Sequence, residues 1–218
     1  MGTDLQIRAY RPSDRDGLRQ ICCDTADAGQ PVERFFPDRE VFADLLTNYY
    51  TEFEPQSTFV ADNGGEVAGY LTGCLDTKRF LSTMKWRIVP VILVKTLLRG
   101  TLWHPQTVSL LRANLGLWLK SGHRTGRKLD DYPAHLHVNV RQAFRGQRLG
   151  QRLVATFCEQ ARGAGVRGVH AGVSAENPQA RRFFAELGFA ELQREARLRK
   201  PDGSGNILYT ILYGKQLG

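Results

Sequence analysis

Alternation of apolar and polar residues with a period of two marks most of the β-strands that the chain is expected to form. The alternating stretches are residues 5–10, 58–61, 66–75, 134–140, 191–199 and 207–217. Residues 62–65, with the sequence DNGG, separate the second stretch from the third and predict a hairpin turn. Residues 201–206 predict a second hairpin turn, between the last two stretches, and residues 207–217 are expected to be buried in the sheet.

Apolar residues at helical spacing predict helices between these strands. One helix is predicted around Leu18, and a second, capped by Asp38, over residues 41–49. A third begins at Leu149, and its apolar face is expected to consist of Leu149, Leu153, Val154, Phe157 and Ala161. A strand and another helix follow, up to Phe189. No linker divides these elements, so a single domain over residues 1–218 is expected.

Residues 78–131 form a long segment between the third and fourth predicted strands. Residues 86–98 are strongly apolar, and a second apolar stretch at helical spacing covers residues 108–119. Lys95 and Arg99 interrupt the first run, which is shorter than the roughly 20 apolar residues needed to cross a bilayer, so no membrane span is expected. Two helices that cover a substrate site or form a homodimer interface are predicted. A helix lying in a membrane interface is the alternative.

The chain carries a net charge of +8, with a pI near 9.6. A dense local group of basic residues follows the fourth strand and consists of Arg141, Arg145, Arg148 and Arg152. An anionic ligand at this group would account for the charge. Nucleic acid is not expected as a partner, because no recognised binding motif accompanies the basic residues.

The four cysteines, Cys22, Cys23, Cys74 and Cys158, show no metal-binding spacing and lie in apolar surroundings. Buried thiols in a reducing compartment are therefore predicted. The first ten residues lack the apolar core of a signal peptide, which also favours the cytoplasm.

The basic turn after the fourth strand leads directly into the helix that begins at Leu149. Free backbone N–H groups and the positive end of the helix dipole meet at such a helix N-terminus, where they suit a phosphate or diphosphate. Gly146 and Gly150 allow a ligand or another element to approach closely.

Three segments carry a resemblance to a known family. Arg145-Gly146-Gln147-Arg148-Leu149-Gly150 resembles the pyrophosphate loop of the GNAT N-acetyltransferases, whose pattern is Arg/Gln-x-x-Gly-x-Gly/Ala. Residues 177–189 resemble the segment Asn-x-x-Ala…(Leu/Phe)-Tyr-Glu-x-x-Gly-Phe of the same superfamily. Residues 131–138 are similar to bacterial acetyltransferases related to the C-terminal domain of O-GlcNAcase. Arg148 stands where the family has a glycine, and Phe184 where it often has a tyrosine.

The resemblance implies an α+β domain with the GNAT fold. In that fold a mixed, mostly antiparallel sheet of six to seven strands is flanked by helices. This chain would add a helical insertion between the third and fourth strands. The resemblance further implies acetyl-CoA as cosubstrate, no metal, and a small molecule or a protein as the amine acceptor.

The resemblance also assigns candidate cofactor-binding residues. Backbone amides of Val138 or Val140 would polarise the thioester, and the turn would hold the diphosphate. The full set is Val138, Val140, Phe144, Arg145, Gly146, Gln147, Arg148, Leu149, Gly150, Asn177 and Phe184. Asn177 could bind the pantetheine arm or cap the following helix, or do both. The guanidinium of Arg148 is expected to clasp the diphosphate.

The candidate catalytic residues are His137, Asn139 and Asn177. His135, His137 and Asn139 share one face of the fourth strand by its period of two. An imidazole titrates near neutrality, so His137 is the candidate general base, and a structural histidine is the alternative. Relatives of the O-GlcNAcase type tend to have aspartate at the position of Asn139.

The predicted function is therefore transfer of an acetyl group from acetyl-CoA to a primary amine by direct attack. Phe184 cannot protonate a leaving thiolate, and Asn139 cannot act as an acidic base. A non-catalytic acyl-CoA-binding module with a regulatory role is accordingly the alternative.

Overall fold

The computed structural model describes residues 5–27, 29–120, 129–199 and 207–218, apart from the side chains of residues 113–120 and 197–199. The predicted turn at residues 201–206 lies outside this part of the chain. The strands are β1 (Leu5–Ala9), β2 (Thr58–Asn63), β3 (Glu66–Cys74), β4 (Ala134–Val140), β5 (Gly168–Ser174), β6 (Ala190–Arg199) and β7 (Ile207–Gln216). The α-helices are α1 (Arg15–Asp24), α2 (Arg39–Asn48), α3 (Thr77–Thr83), α4 (Val89–Leu98), α5 (Pro105–Lys120), α6 (Leu149–Gly163) and α7 (Pro178–Glu186).

The strands of the described ranges form one sheet in the order β1-β2-β3-β4-β5-β7-β6. β4 and β5 are parallel, and the other neighbouring strands are antiparallel. This arrangement confirms the predicted mixed, mostly antiparallel sheet. β7 lies between β5 and β6, as expected for a strand with apolar residues on both faces.

β4 and β5 separate soon after they meet. Each strand has seven residues, but they pair only at Ala134 with Val169 and at His135 with His170. Beyond these pairs, the β5-facing edge of Leu136–Val140 borders a space between the two strands, which we call the wedge. The wedge opens toward the carboxyl ends of both strands, because the strands are parallel.

The segment between β3 and β4 is helical, which confirms the predicted insertion. α3, a π-helical turn over Met84–Ile88, and α4 form one continuous rod, because the residues that join them keep right-handed helical backbone angles. Phe80 in α3 packs against Tyr49 and His135. The first turns of the rod therefore cover one face of β4.

Ion pairs fasten α4 to α2. Asp44 lies 2.5 Å from Nζ of Lys95 and 2.6 Å from Nη1 of Arg19. Arg99, just after α4, donates to Asp38, the predicted cap of α2, at 2.7 Å. Burial alone would raise the pKa of Asp44, but the hydrogen bonds from Lys95 and Arg19 outweigh it and leave that pKa below its ordinary value.

The largest hydrophobic cluster joins α6 and α7 to the sheet. Phe157 in α6 lies so close to β3 that a Cβ atom at Gly73 would be 2.2 Å from its ring. A Cβ atom at Gly150 would be 3.2 Å from the ring of Phe183 in α7. These close contacts fix the position of the N-terminus of α6.

The four cysteines are buried and free, as the sequence predicts. Burial raises the pKa of Cys22 and of Cys74 to about 12, and that of Cys23 to about 11. The pKa of Cys158 is raised for the same reason. Protonated thiols of this kind are poor nucleophiles and poor metal ligands.

Candidate functional site

Backbone groups of β4 point into the wedge. The N–H of Arg141 donates to the carbonyl of Ala68 at 2.9 Å, so Arg141 is hydrogen-bonded to β3. In an antiparallel pair the hydrogen-bonded positions alternate, so the backbone N–H and C=O groups of Asn139 and His137 also point toward β3. The N–H and C=O groups of Val138 and Val140 therefore face away from β3, into the wedge. These are the two amides that the sequence assigns to the thioester.

The turn before α6 presents a row of backbone N–H groups to solvent. Among the described residues, no acceptor is recorded for the N–H groups of residues 146–151. Residues 145–148 are exposed, and Gly146 has a φ of 82°. The N–H groups of Phe144 and Arg145 are bonded within the turn, to Arg141 and Gln142. Within the predicted cradle of Phe144–Gly150, the N–H groups available to a ligand are therefore those of Gly146–Gly150.

Arg148 adopts a left-handed backbone conformation with φ of 57°. Among the described residues it is the one non-glycine residue with a positive φ. Glycine adopts this conformation without steric cost, which explains why the family has a glycine here. Arg148 thus keeps the loop geometry, and its side chain is exposed beside the free N–H groups.

The other arginines of the basic group have different partners. Arg141 donates from Nε to the carbonyl of Val67, and Arg152 donates from Nη1 to the carbonyl of Leu5. Arg145 reaches back toward the carbonyl of Val140 at 3.4 Å. Among the described residues, Arg148 is consequently the arginine of this group for which no side-chain bond to a strand is recorded.

His135 is buried on the face of β4 that α3 covers. Its Nδ1 lies 2.8 Å from the hydroxyl of Thr77, which itself donates to the carbonyl of Pro133. Thr77 must therefore accept from Nδ1–H, and Nε2 of His135 accepts from the hydroxyl of Tyr50 at 2.8 Å. Burial, together with the nearby His137 and His170, holds the pKa of His135 well below its ordinary value. His135 is neutral, and both of its ring nitrogens are occupied.

His137 and Asn139 lie further along the same face. The His137 side chain is exposed, with its ring 6.1 Å from those of Tyr50 and His135. The amide of Asn139 donates from Nδ2 to the hydroxyl of Tyr70 at 2.9 Å. His137 is therefore the accessible titratable group next to the Val138 amide, whereas Asn139 is held by a buried phenol.

Asn177 and Phe184 have structural roles in α7. Oδ1 of Asn177 accepts from the N–H of Ala180 at 2.9 Å, so it caps the helix, and it follows β5 at the wide end of the wedge. Phe184 is 6% exposed and packs against Phe189 and Tyr213. Phe184 thus belongs to the core, and only the edge of its ring would be available for the predicted contact with the cofactor.

A family model described as "Acetyltransferase (GNAT) family" matches residues 120–189. This range contains β4, the phosphate-loop candidate, α6, β5 and α7. Residues 120–189 therefore match the GNAT acetyltransferase family. The predicted resemblance to the GNAT acetyltransferases is thereby confirmed for these residues, and acetyl-CoA is the cofactor bound in one neighbour of the same fold.

Solved structures share the GNAT fold. SsHAT is 24% identical, with a TM-score of 0.71 over 98% of each chain. An N-acetyltransferase from Staphylococcus aureus Mu50 is 14% identical, with a TM-score of 0.61 over 99% of this chain and all of its own. The yncA protein of Salmonella typhimurium, solved with its cofactor acetyl-CoA, is 16% identical, with a TM-score of 0.58 over 99% of this chain and 95% of its own.

The candidate site fits a diphosphate and a pantetheine arm. The amides of Gly146–Gly150, for which no acceptor is recorded, lie at the N-terminus of α6, where an anion is stabilised. The amides of Val138 and Val140 lie beyond the last residue pair of β4 with β5, on the edge of β4 that faces away from β3. No helix that the structure describes is long and apolar enough to span a membrane. Within the same residues, no three His, Cys, Asp or Glu side chains form a group that could hold a metal ion.

Sequence reasoning missed the residues that surround the histidines. Tyr50 and Thr77 lie 85 and 58 positions from His135 in the chain, and no local pattern links them. Tyr213 was also missed, although it places a phenol ring 6.2 Å from Phe184. The alternation of residues 207–217 predicts the strand but not which of its residues meets α7.

Substitutions of Arg148 separate the roles of its side chain and its backbone. Arg148→Ala is expected to weaken acetyl-CoA binding about 10- to 100-fold, because a charge-assisted hydrogen bond contributes roughly 1.5–3 kcal/mol. Arg148→Gly should weaken binding equally but stabilise the fold by roughly 0.5–1 kcal/mol, because glycine removes the strain of the positive φ. Isothermal titration and urea unfolding measure the two effects.

Arg182→Ala is the matched control, because Arg182 is an exposed arginine of α7 paired with Glu186. It should leave the acetyl-CoA affinity unchanged. If Arg148→Gly binds acetyl-CoA as tightly as the parent, the guanidinium points away from the diphosphate and the amides alone hold it.

Proposed function

We propose that this GNAT domain transfers the acetyl group of acetyl-CoA to a primary amine by direct attack. The observation that carries the proposal is the row of N–H groups without a recorded acceptor at the N-terminus of α6, which follows the edge of β4 that faces the wedge. The N–H groups of Val138 and Val140 face the wedge, and those of Gly146–Gly150 follow the carboxyl end of β4, toward which the wedge opens. One extended ligand with a carbonyl at one end and a diphosphate at the other would satisfy both sets.

Bound acetyl-CoA would supply an acetyl thioester. The amine nitrogen forms a bond to the acetyl carbon, and the bond from that carbon to the CoA sulfur breaks, which releases the CoA thiolate. The amide of Val138 or Val140 stabilises the negative charge on the carbonyl oxygen. His137 takes the proton from the amine, directly or through water. With phenylalanine at 184, CoA leaves as a thiolate, which is a fair leaving group because a thiol has a pKa near 8.5.

The exposed imidazole of His137 supports an amine acceptor, because a base at this position can take the proton of an attacking amine. Tyr50 lies 6.1 Å from His137 and is 2% exposed, so it forms part of the wall behind the imidazole. We propose a small molecule or a protein with an accessible amine as the acceptor, and the single domain of residues 1–218 as the unit that acts.

A non-catalytic acyl-CoA-binding module is the second candidate. The observations that favour it are the core position of Phe184 and the hydrogen bond that ties Asn139 to Tyr70. Both positions lack the acid or base that relatives would have there. Such a module would keep the loop and the wedge but would lack the proton transfer.

Titration with acetyl-CoA beside a thiol-release assay over a panel of amines tests both candidates. We expect binding, and release of CoA that depends on one class of amine and is saturable in it. Desulfo-CoA should compete for binding and support no release. Binding without amine-dependent release from any class of amine would favour the module, and absence of binding would remove both candidates.

The localisation that the sequence favours also remains a proposal. Buried, free thiols are typical of proteins in the reducing cytoplasm. The homodimer that the sequence predicts would use the exposed surface of the insertion, which a different kind of partner could also bind.

A further inference from the structure

The insertion carries the positive charge of the whole molecule. Residues 78–131 contain 11 Lys or Arg residues and only two acidic residues, Asp130 and Asp131, at their end. The remaining residues contain 19 Lys or Arg residues against 20 Asp or Glu residues, so they are nearly neutral. A strongly basic segment attached to a nearly neutral domain favours a negatively charged partner for the segment.

α4 has a mixed side toward the protein and an apolar side toward solvent. Ile92 packs inward in a hydrophobic cluster, and Lys95 and Thr96 also point inward, where Lys95 pairs with Asp44. The exposed residues of this helix are all apolar: Pro90, Val91, Leu93, Val94, Leu97 and Leu98. At 100° per residue they cover an arc of about 160° on the helix surface. A helix packed on a soluble core typically has polar residues on its exposed side.

Tryptophan and basic residues flank this apolar face. Trp86 is 70% exposed, and Lys85 lies with Nζ 4.8 Å from its ring. Trp103, which follows α4, is 75% exposed. Arg87 is exposed on the same turn as Trp86. Tryptophan with basic neighbours beside a leucine- and valine-rich face is typical of helices that lie in a membrane interface.

We propose that the rod from Thr77 to Leu98 binds the surface of an anionic phospholipid bilayer, with the exposed face of α4 in the interface. A second copy would bring two strongly basic segments together, and their repulsion opposes a symmetric dimer. A nucleic acid would pair with the cations but would leave the valine and leucine face in water. Only a lipid surface offers negative charge and an apolar layer together.

Vesicle sedimentation with the full chain tests the proposal. The protein should bind vesicles that contain phosphatidylglycerol and not vesicles of phosphatidylcholine alone, and salt should weaken the binding. Lys85→Glu should weaken binding about thirtyfold, because each charge near an anionic surface contributes roughly 1 kcal/mol. Leu98→Asn should weaken it at least about tenfold, because Leu98 is 81% exposed and would lose its contact with the acyl chains.

Matched variants outside the insertion serve as controls. Arg182→Glu makes the same charge change on exposed α7 and should bind vesicles as the parent does. Circular dichroism and acetyl-CoA affinity should stay unchanged in every variant, because none of these residues belongs to the proposed site. The proposal is overturned by absence of binding to anionic vesicles at low salt, by equal binding of Leu98→Asn, or by a solution dimer that Leu98→Asn dissociates.

Discussion

Replacing His137 by alanine is expected to lower kcat for amine acetylation about a hundredfold near neutral pH, the lower end of what a general base contributes. The imidazole is exposed next to the Val138 amide, so it can reach the attacking amine. The KM for acetyl-CoA should stay unchanged, because the substitution leaves in place the amides of Gly146–Gly150, which we propose to hold the diphosphate. Steady-state kinetics with the amine identified by the thiol-release assay measure the effect.

The pH dependence distinguishes a base from a structural residue. Alkylamines such as lysine have a pKa near 10, so the acceptor loses its own proton as the pH approaches that value. The deficit of His137→Ala should therefore shrink at alkaline pH. His104→Ala, at an exposed histidine of the insertion, should change neither kcat nor its pH profile. A deficit that is the same at every pH would rule out proton transfer by His137.

Asp44→Ala is expected to lower the free energy of unfolding by about 3 kcal/mol, because it leaves Arg19 and Lys95 without their shared carboxylate. Arg19 is 7% exposed and cannot move into water without disrupting the packing of α1. The cost lies at the lower end for a buried pair, since Arg19 keeps a contact of 2.6 Å with Glu40. Urea unfolding measures the loss.

Two comparisons sharpen this result. Glu186→Ala, which breaks an exposed pair, should cost no more than about 0.5 kcal/mol. The double variant Arg19→Met/Asp44→Leu should recover most of the loss, because it removes the buried charge together with its partner. A single Asp44→Ala cost as small as that of Glu186→Ala would mean that the ion pairs do not hold α4 against α2.

The local patterns of the sequence were enough to predict the sheet and the loop. The alternation of residues 134–140 and the apolar period that begins at Leu149 correctly located β4 and α6. The turn between them followed from their spacing in the chain. Those patterns involve only neighbours in the chain, where geometry depends on residue type. The apolar run of residues 86–98 left three placements of α4 open, because such a helix can cover a substrate site, form a homodimer interface or lie in a membrane interface.

The side of α4 that faces the protein could not be predicted, because it depends on partners that are distant in sequence. Lys95 faces inward because it forms an ion pair with Asp44, which lies 51 residues earlier in the chain. The neutral state of His135 depends in the same way on Tyr50 and Thr77. Periodicity shows that a helix has two different faces. The face that packs inward depends on the charged and apolar groups that the rest of the fold places next to the helix.

The deep burial of the four cysteines has a consequence for the fidelity of the proposed reaction. Thioesters exchange readily with thiolates, and a reactive cysteine near the wedge would divert the acetyl group to the protein itself. Because the pKa of Cys22 and of Cys74 is raised to about 12, neither forms a thiolate at neutral pH. The domain is thereby protected from self-acylation, and the acetyl group is kept for the acceptor.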